Sequence, residues 1–144
     1  MLKVLAIAGM TPVRAQVRVT DPTYGLGTGV DLLCTRRVGR ATRHIIVELK
    51  AGFNAAGAYD ASDGPMRRPL ADLPNSARMQ HKIQTVVTRA LFKASNPEVA
   101  AVDACVMRVT DEGVHIHMVE AELFARAPAI LAALAAARDK KPCV

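Results

Sequence analysis

"IIVELKAG", residues 45–52, decides how this chain is read. Ile45, Ile46 and Val47 form an unbroken apolar run. Such a run marks a strand covered on both faces, and hence a central place in a sheet with helices on either side. At its end stand Glu48 and Lys50, just before Gly52. Side chains at i and i+2 of a strand point the same way, so the acid and the base share a face. Burying either charge alone is costly, which makes their surroundings the question the sequence poses.

Working outward, "RAQVRVT", 14–20, alternates as a half-buried strand does, and "YGLGTG", 24–29, has turn chemistry. "VDLLCT", 30–35, reads as a second strand. "RRVGRATR", 36–43, reads as a basic hairpin connection around Gly39, leading into a third strand, "HIIVELK", 44–50. Residues 51–76 hold Gly52, Gly57, Gly64, Pro65, Pro69 and Pro74 and show no periodicity. A connection of that length is expected to be a lid, a substrate loop or a mobile segment.

Helical period returns over 77–93, with Asn75 and Ser76 as caps. Met79, Ile83, Val86, Val87 and Ala90 share one face of this helix, and Lys82, Thr85 and Arg89 take the other. Gln80, Gln84 and Thr88 line one border of the apolar stripe. "AAVDACVMRV", 100–109, "DEG" and "VHIHMV", 114–119, predict a hairpin. A last helix is expected over 120–137, kinked or begun late at Pro128, with "RDKKPCV" frayed. Strands, helix, strands, helix is an α/β or α+β order with a mixed sheet.

The 144 residues suit a single domain, 1–144, with a real core. Hydrophobic residues at 51% and charged residues at 22% argue against disorder, and 3% aromatics make the core aliphatic. A net charge of +6 favours a polyanionic partner, nucleic acid being the commonest. Cys34, Cys105 and Cys143 are odd in number and form no CxxC. They therefore exclude a zinc knuckle or a four-cysteine cluster and point to a reducing compartment.

The opening "MLKVLAIAGMTPVRA" imitates a signal peptide, but Thr11, Pro12 and Arg14 cut its apolar stretch short. No apolar run reaches about eighteen residues, so no membrane span is expected. The location these features predict is intracellular, cytoplasmic or nuclear.

Asp31 falls on the strand before Glu48 and Lys50. Antiparallel pairing through a short hairpin brings the two acids onto neighbouring backbones, and the right register puts Asp31 on the face of Glu48. Two close carboxylates call for a cation, and Mg²⁺ takes one or two of them while keeping waters for substrate phosphate. A neighbouring lysine orients or deprotonates such a water and offsets charge developing on the phosphate. The chemistry read from these residues is metal-assisted phosphodiester hydrolysis.

"GTGVDLLC" followed by "IIVELKAG" resembles the PD-(D/E)XK nuclease superfamily, whose signature is an Asp on one strand and Glu-x-Lys on the next. "NSARMQHKIQTVVTRALF" resembles the glutamine-bearing helix of its exonuclease-like branch, in particular small viral and protist members with an Asn-Ser-x-x-x-Gln-His run. The resemblance spans about residues 16 to 120. It implies a restriction-endonuclease-like αβββαβ core, an α/β fold with a mixed central sheet flanked by helices. It further implies Asp31, Glu48 and the Leu49 carbonyl as metal ligands, Lys50 as the catalytic lysine and Gln84 as the helix glutamine, with Gln80 the second choice. The implied cofactor is Mg²⁺, with Mn²⁺ as a substitute. Two features depart from the pattern: "MLKVLAIAGM" carries no acid where the family often has one, and Thr88 replaces an aromatic.

Arg36, Arg37, Arg40 and Arg43 crowd one hairpin, which suits phosphate contacts near the metal; a charged turn that blocks edge pairing has the same composition. Arg67 and Arg68 read the same way. Gln80 and His81 are further candidates for nucleic-acid contact, His81 lying one turn before Gln84. His115 and His117 share a strand face that is expected to be solvated, the rival reading being a transition-metal pair. "GLGTG" lacks the Lys-Ser/Thr and helix of a nucleotide cradle.

These readings predict a Mg²⁺-dependent nuclease acting on DNA; the residues do not distinguish DNA from RNA. The alternative is a nucleic-acid-binding or assembly module that keeps the fold without turnover. A junction resolvase would require a homodimer.

Overall fold

The computed structural model describes residues 1–52 and 57–139. The chain runs α1 (Leu2–Ile7), β1 (Thr11–Asp21), β2 (Leu26–Val38), β3 (Ala41–Ala51), β4 (Ser62–Pro65), β5 (Pro74–Ser76), α2 (Ala77–Ser95), β6 (Val102–Thr110), β7 (Gly113–Met118), α3 (Ala121–Phe124) and α4 (Ala127–Asp139). Five strands form one sheet in the order β1-β2-β3-β6-β7, and β4 pairs with β5 separately. β1, β2 and β3 form an antiparallel meander, and the return through α2 sets β6 parallel to β3. The sheet is therefore mixed and flanked by helices, in the expected αβββαβ order.

β3 is the middle strand, and Ile45, Ile46 and Val47 are each fully buried. The two faces of β3 serve two cores. Ile46 joins Val86, Leu91 and Phe92 of α2 together with Leu123 of α3 and Ile130 and Leu131 of α4. Ile45 and Val47 face the other way, with Cys34, Cys105, Met107 and, from the α1 side, Leu5 and Met10. Each such side chain contributes roughly 1.5–3 kcal/mol of burial. This double demand is why the run shows no alternation. Cys34 and Cys105 are free and buried; Cys143 lies outside the described residues.

Several boundaries differ from expectation. Residues 36–43 are mostly strand: β2 pairs with β3 as far as Val38↔Ala41, leaving Gly39 and Arg40 as the turn, with Gly39 at φ 62°. Nor is 24–29 all turn, because Leu26–Gly29 pair with Arg18–Asp21 and the bend lies at residues 22–25. The long connection contains β4 and β5, whose Gly64, Pro65 and Pro74 hide them from a search for alternation. The N-terminal stretch, for which the sequence suggested no element, is α1.

Helix α2 begins where expected, with Ser76 Oγ accepting from Met79 N–H at 3.2 Å. Its supposed solvent face is not solvated. Lys82 and Thr85 are buried at 8% and 0% exposure, since α2 packs against the sheet, α3 and α4 and leaves little of its surface to solvent. Thr85 Oγ1 donates to the His81 carbonyl at 2.7 Å, which satisfies the buried hydroxyl within the helix itself. The last helix is broken into α3 and α4, with Pro128 in the first turn of α4, where a missing N–H costs nothing. No helix of the described residues is long and apolar enough to cross a membrane.

Candidate metal and nucleic-acid site

The β2–β3 ladder runs to Leu32↔Val47, and the next rung sets Asp31 level with Glu48. Beyond that rung the Asp31 carboxylate takes over the pairing: its Oδ2 accepts from the Leu49 N–H at 2.9 Å. β1 is distorted at the same level. Gln16 lies between the rungs Ala15↔Leu32 and Val17↔Val30 and has φ 52°, the only positive φ among the described non-glycine residues. A left-handed glutamine costs on the order of 1–3 kcal/mol, and strain of this kind concentrates at functional sites.

Glu48 and Lys50 face α2. Glu48 is only 3% exposed. Its Oε1 accepts from Lys50 Nζ at 2.9 Å and from Gln84 Nε2 at 2.6 Å, and Lys50 Nζ also donates to Gln84 Oε1 at 2.9 Å. The three side chains close a ring, which answers how an acid can end a central strand. Burial pushes the Glu48 carboxyl above its usual range and the Asp31 charge adds to this, while the hydrogen bond and charge of Lys50 pull the other way.

The oxygens of Asp31, Glu48 and the Leu49 carbonyl lie on adjacent positions of two paired strands. Such a hard, all-oxygen set fits Mg²⁺, which needs one or two carboxylates, and does not suit a soft transition metal. Among the described residues no group of three or more His, Cys, Asp and Glu is arranged to hold an ion. A cation here would have to complete its shell with water and substrate oxygens. The charge of Asp31, which raises the Glu48 pKa, is what such a cation would neutralise.

Gln84, exposed on α2, joins the site as expected, and Gln80 sits one turn earlier with its Nε2 donating to Asn75 Oδ1 at 2.9 Å. His81 is half-buried, its Nδ1 3.1 Å from Tyr59 Oη. Burial, then the charge of Lys50, pulls its pKa down, so His81 borders the site electrostatically.

The arginines are not brought there. Arg36 stands five residues along β2 from Asp31, about 17 Å at about 3.3 Å per residue. It pairs across to Arg43, and both turn to Asp103: Arg43 in a two-pronged contact of 2.9 and 2.6 Å, Arg36 at 3.6 Å. Arg37 and Arg40 are exposed at that same end. The expectation of phosphate contacts beside the metal is corrected for all four, since the hairpin they crowd is the end of β2–β3 remote from Asp31.

His115 and His117 are also corrected. Both are half-buried on the α2 side, and their Nε2 atoms are enclosed without a hydrogen-bond partner. The sheet register explains the placement: Glu48 is level with Val106 and then His117, and Lys50 with Arg108 and then His115. Tyr59 lies over this extension, its ring centroid 5.4 Å from that of His117 and 4.5 Å below the Arg108 guanidinium. Tyr59 and Arg108 are neighbours of the site that sequence reasoning missed. A tyrosine in a Gly- and Pro-rich connection was the available sign for Tyr59, whereas nothing local singled out Gln16.

The fold and the row of residues define a mixed α/β chain with a carboxylate–lysine–glutamine site at the end of its middle strands. No family model matches the chain, and no curated protein matches it. Its fold is similar to that of a Eubacterium rectale protein provisionally named an exonuclease: 13% identity over 82% of this chain and 41% of the other, TM-score 0.48. It is similar also to SSO0001, with 15% identity over 98% of this chain and 57% of that one, TM-score 0.41. The chain spans less than two thirds of either protein's length.

Proposed function

We propose that this chain is a Mg²⁺-dependent deoxyribonuclease of the PD-(D/E)XK superfamily, with Mn²⁺ able to replace Mg²⁺. The observation that carries the reading is the ring of Glu48, Lys50 and Gln84 with Asp31 level with Glu48 on the neighbouring strand. Asp31, Glu48 and the Leu49 carbonyl would hold the ion. When bound, it supplies Lewis acidity at a phosphoryl oxygen and lowers the pKa of a coordinated water.

Lys50 would have a second task if Glu48 bound a cation: its ammonium, no longer held by the carboxylate, would orient the attacking water or stabilise charge on the transferred phosphate. Gln84 keeps Lys50 placed while this happens, because its Oε1 accepts from Nζ independently of Glu48. Depth at the end of the strand excludes bulk water from Glu48 and strengthens each of these interactions.

The test is cleavage of plasmid and single-stranded DNA with Mg²⁺, Mn²⁺ or EDTA, comparing wild type with Glu48→Ala and Lys50→Ala. The expected result is metal-dependent cleavage that falls roughly 10²–10⁴-fold in each variant. Equal traces from all three proteins would leave a binding module with this fold. Cleavage indifferent to EDTA would remove the metal.

A further inference from the structure

A cleft of about 750 Å³ opens beside Gln84, so one of its walls is also part of the Glu48–Lys50 ring. This volume lies within the roughly 300–1,000 Å³ of ordinary ligand pockets and admits a nucleoside-sized group. The inner walls are aliphatic: Ile83 and Val87 from α2, Ile130 and Leu134 from α4, Met66 and Leu70 from the connection between β4 and β5. Polar groups stand at specific places on its boundary. Gln80 and Asn75 offer amides, and Arg67 and Arg68 stand in the wall that the β4–β5 connection contributes.

No acid lines the cleft. Among the described residues, Arg67 and Arg68 take part in none of the ion pairs that hold Arg36, Arg43, Arg78, Arg126 and Arg138. Aliphatic walls, amides and two cations without carboxylates together suit a flat, heteroatom-edged group attached to a phosphate.

We infer that this cleft receives an unstacked nucleobase next to the scissile phosphate, and that the substrate is therefore single-stranded DNA or an unpaired end. The inference rests on the nuclease reading of the adjoining ring. A base within a duplex cannot enter without losing its pair and its stacking, which costs a few kcal/mol. A single strand meets no such penalty. Apolar side chains sandwich the base, Gln80 and Asn75 meet its edge, and Arg67 and Arg68 hold the flanking phosphates. The specificity is for strandedness, and Gln84 links it to the carboxylate that does chemistry.

The experiment uses the full chain carrying Glu48→Gln and a fluorescent adenine analogue, 2-aminopurine, placed centrally in a 12-mer, either single-stranded or in a blunt duplex. The expected result is a fluorescence change on binding the single strand and affinity at least about tenfold above that for the duplex. Adding Leu134→Glu, at a position already 44% exposed, lowers single-strand affinity about tenfold; Arg67→Ala with Arg68→Ala does the same. Equal affinity for both forms, or an unresponsive fluorophore in a bound complex, overturns the cleft assignment and leaves its apolar walls for a peptide partner. If wild type cleaves while the fluorophore stays silent, only the cleft fails. If the fluorophore responds while wild type cleaves nothing in any metal, the nuclease reading fails and the binding cleft stands.

Discussion

At the scale of single residues, the site trades stability for chemistry. Glu48 is buried with its carboxyl raised, so its folded-state pKa lies above the unfolded one. Its ionised form therefore costs stability at neutral pH, and stability from this group rises as pH falls through the raised value toward the ordinary carboxylate range. Glu48→Gln is expected to abolish cleavage yet leave the Tm at pH 7 equal to or above that of wild type. A loss of several degrees in a thermal melt would show that the ion pair with Lys50 outweighs the desolvation.

The histidines run in the opposite sense. His81 and His117 have pKa values lowered first by burial, with Lys50 adding at His81 and Arg78, Arg108 and Lys82 at His117. Their contribution to stability is complete above the ordinary histidine pKa and declines as pH falls through that value toward the lowered one. The Tm should drop on acidification from pH 7 to 5, and the double variant His81→Gln/His117→Gln should flatten that slope. An unchanged slope would place the acid sensitivity elsewhere.

Among elements, α2 decides most, because it packs on the sheet, walls the cleft and carries Gln84. Ser76→Ala removes its N-terminal cap and should cost about 1 kcal/mol in urea unfolding, with the m-value unchanged. Lys82 shows how period alone misleads. It belongs to the polar side of a helical wheel, yet it is buried in the fold and its ammonium is answered by Glu120. Removing Glu120 leaves the buried charge alone, so Glu120→Ala should destabilise by about 1–3 kcal/mol. Replacing Lys82 by Met removes the charge itself and should be near neutral or stabilising. Chemical denaturation of the two variants checks the contrast.

For the whole molecule, the relevant quantity is the excess of 19 basic over 13 acidic residues, which gives the net +6. Much of the arginine is spent within the fold, on Asp103, Asp60, Asp72 and Asp139. Binding to single-stranded DNA through about three remaining phosphate contacts would fall roughly 20-fold between 50 and 200 mM salt, at about −0.7 per contact on a log–log plot. Fluorescence anisotropy across a salt series measures that slope, and a flat line would remove the polyanion from the account.

What residues 45–52 determined by themselves was direction: an apolar run must be covered twice, and an acid and a base two apart must share a face. The cap of α2, the β6–β7 hairpin and the place of Gln84 on a helix beside the sheet were legible for the same reason, since each is set by neighbours within a few positions. Only the tertiary structure decided that the arginines of 36–43 lie at the remote end of their strands. It alone set Arg108 beside Lys50 and Tyr59 against Arg108 and His117, left Gln16 strained opposite Asp31 and opened a cleft behind Gln84. Those outcomes depend on strand register, loop closure and helix packing between residues far apart in the chain, and local periodicity carries no information about which distant surfaces meet.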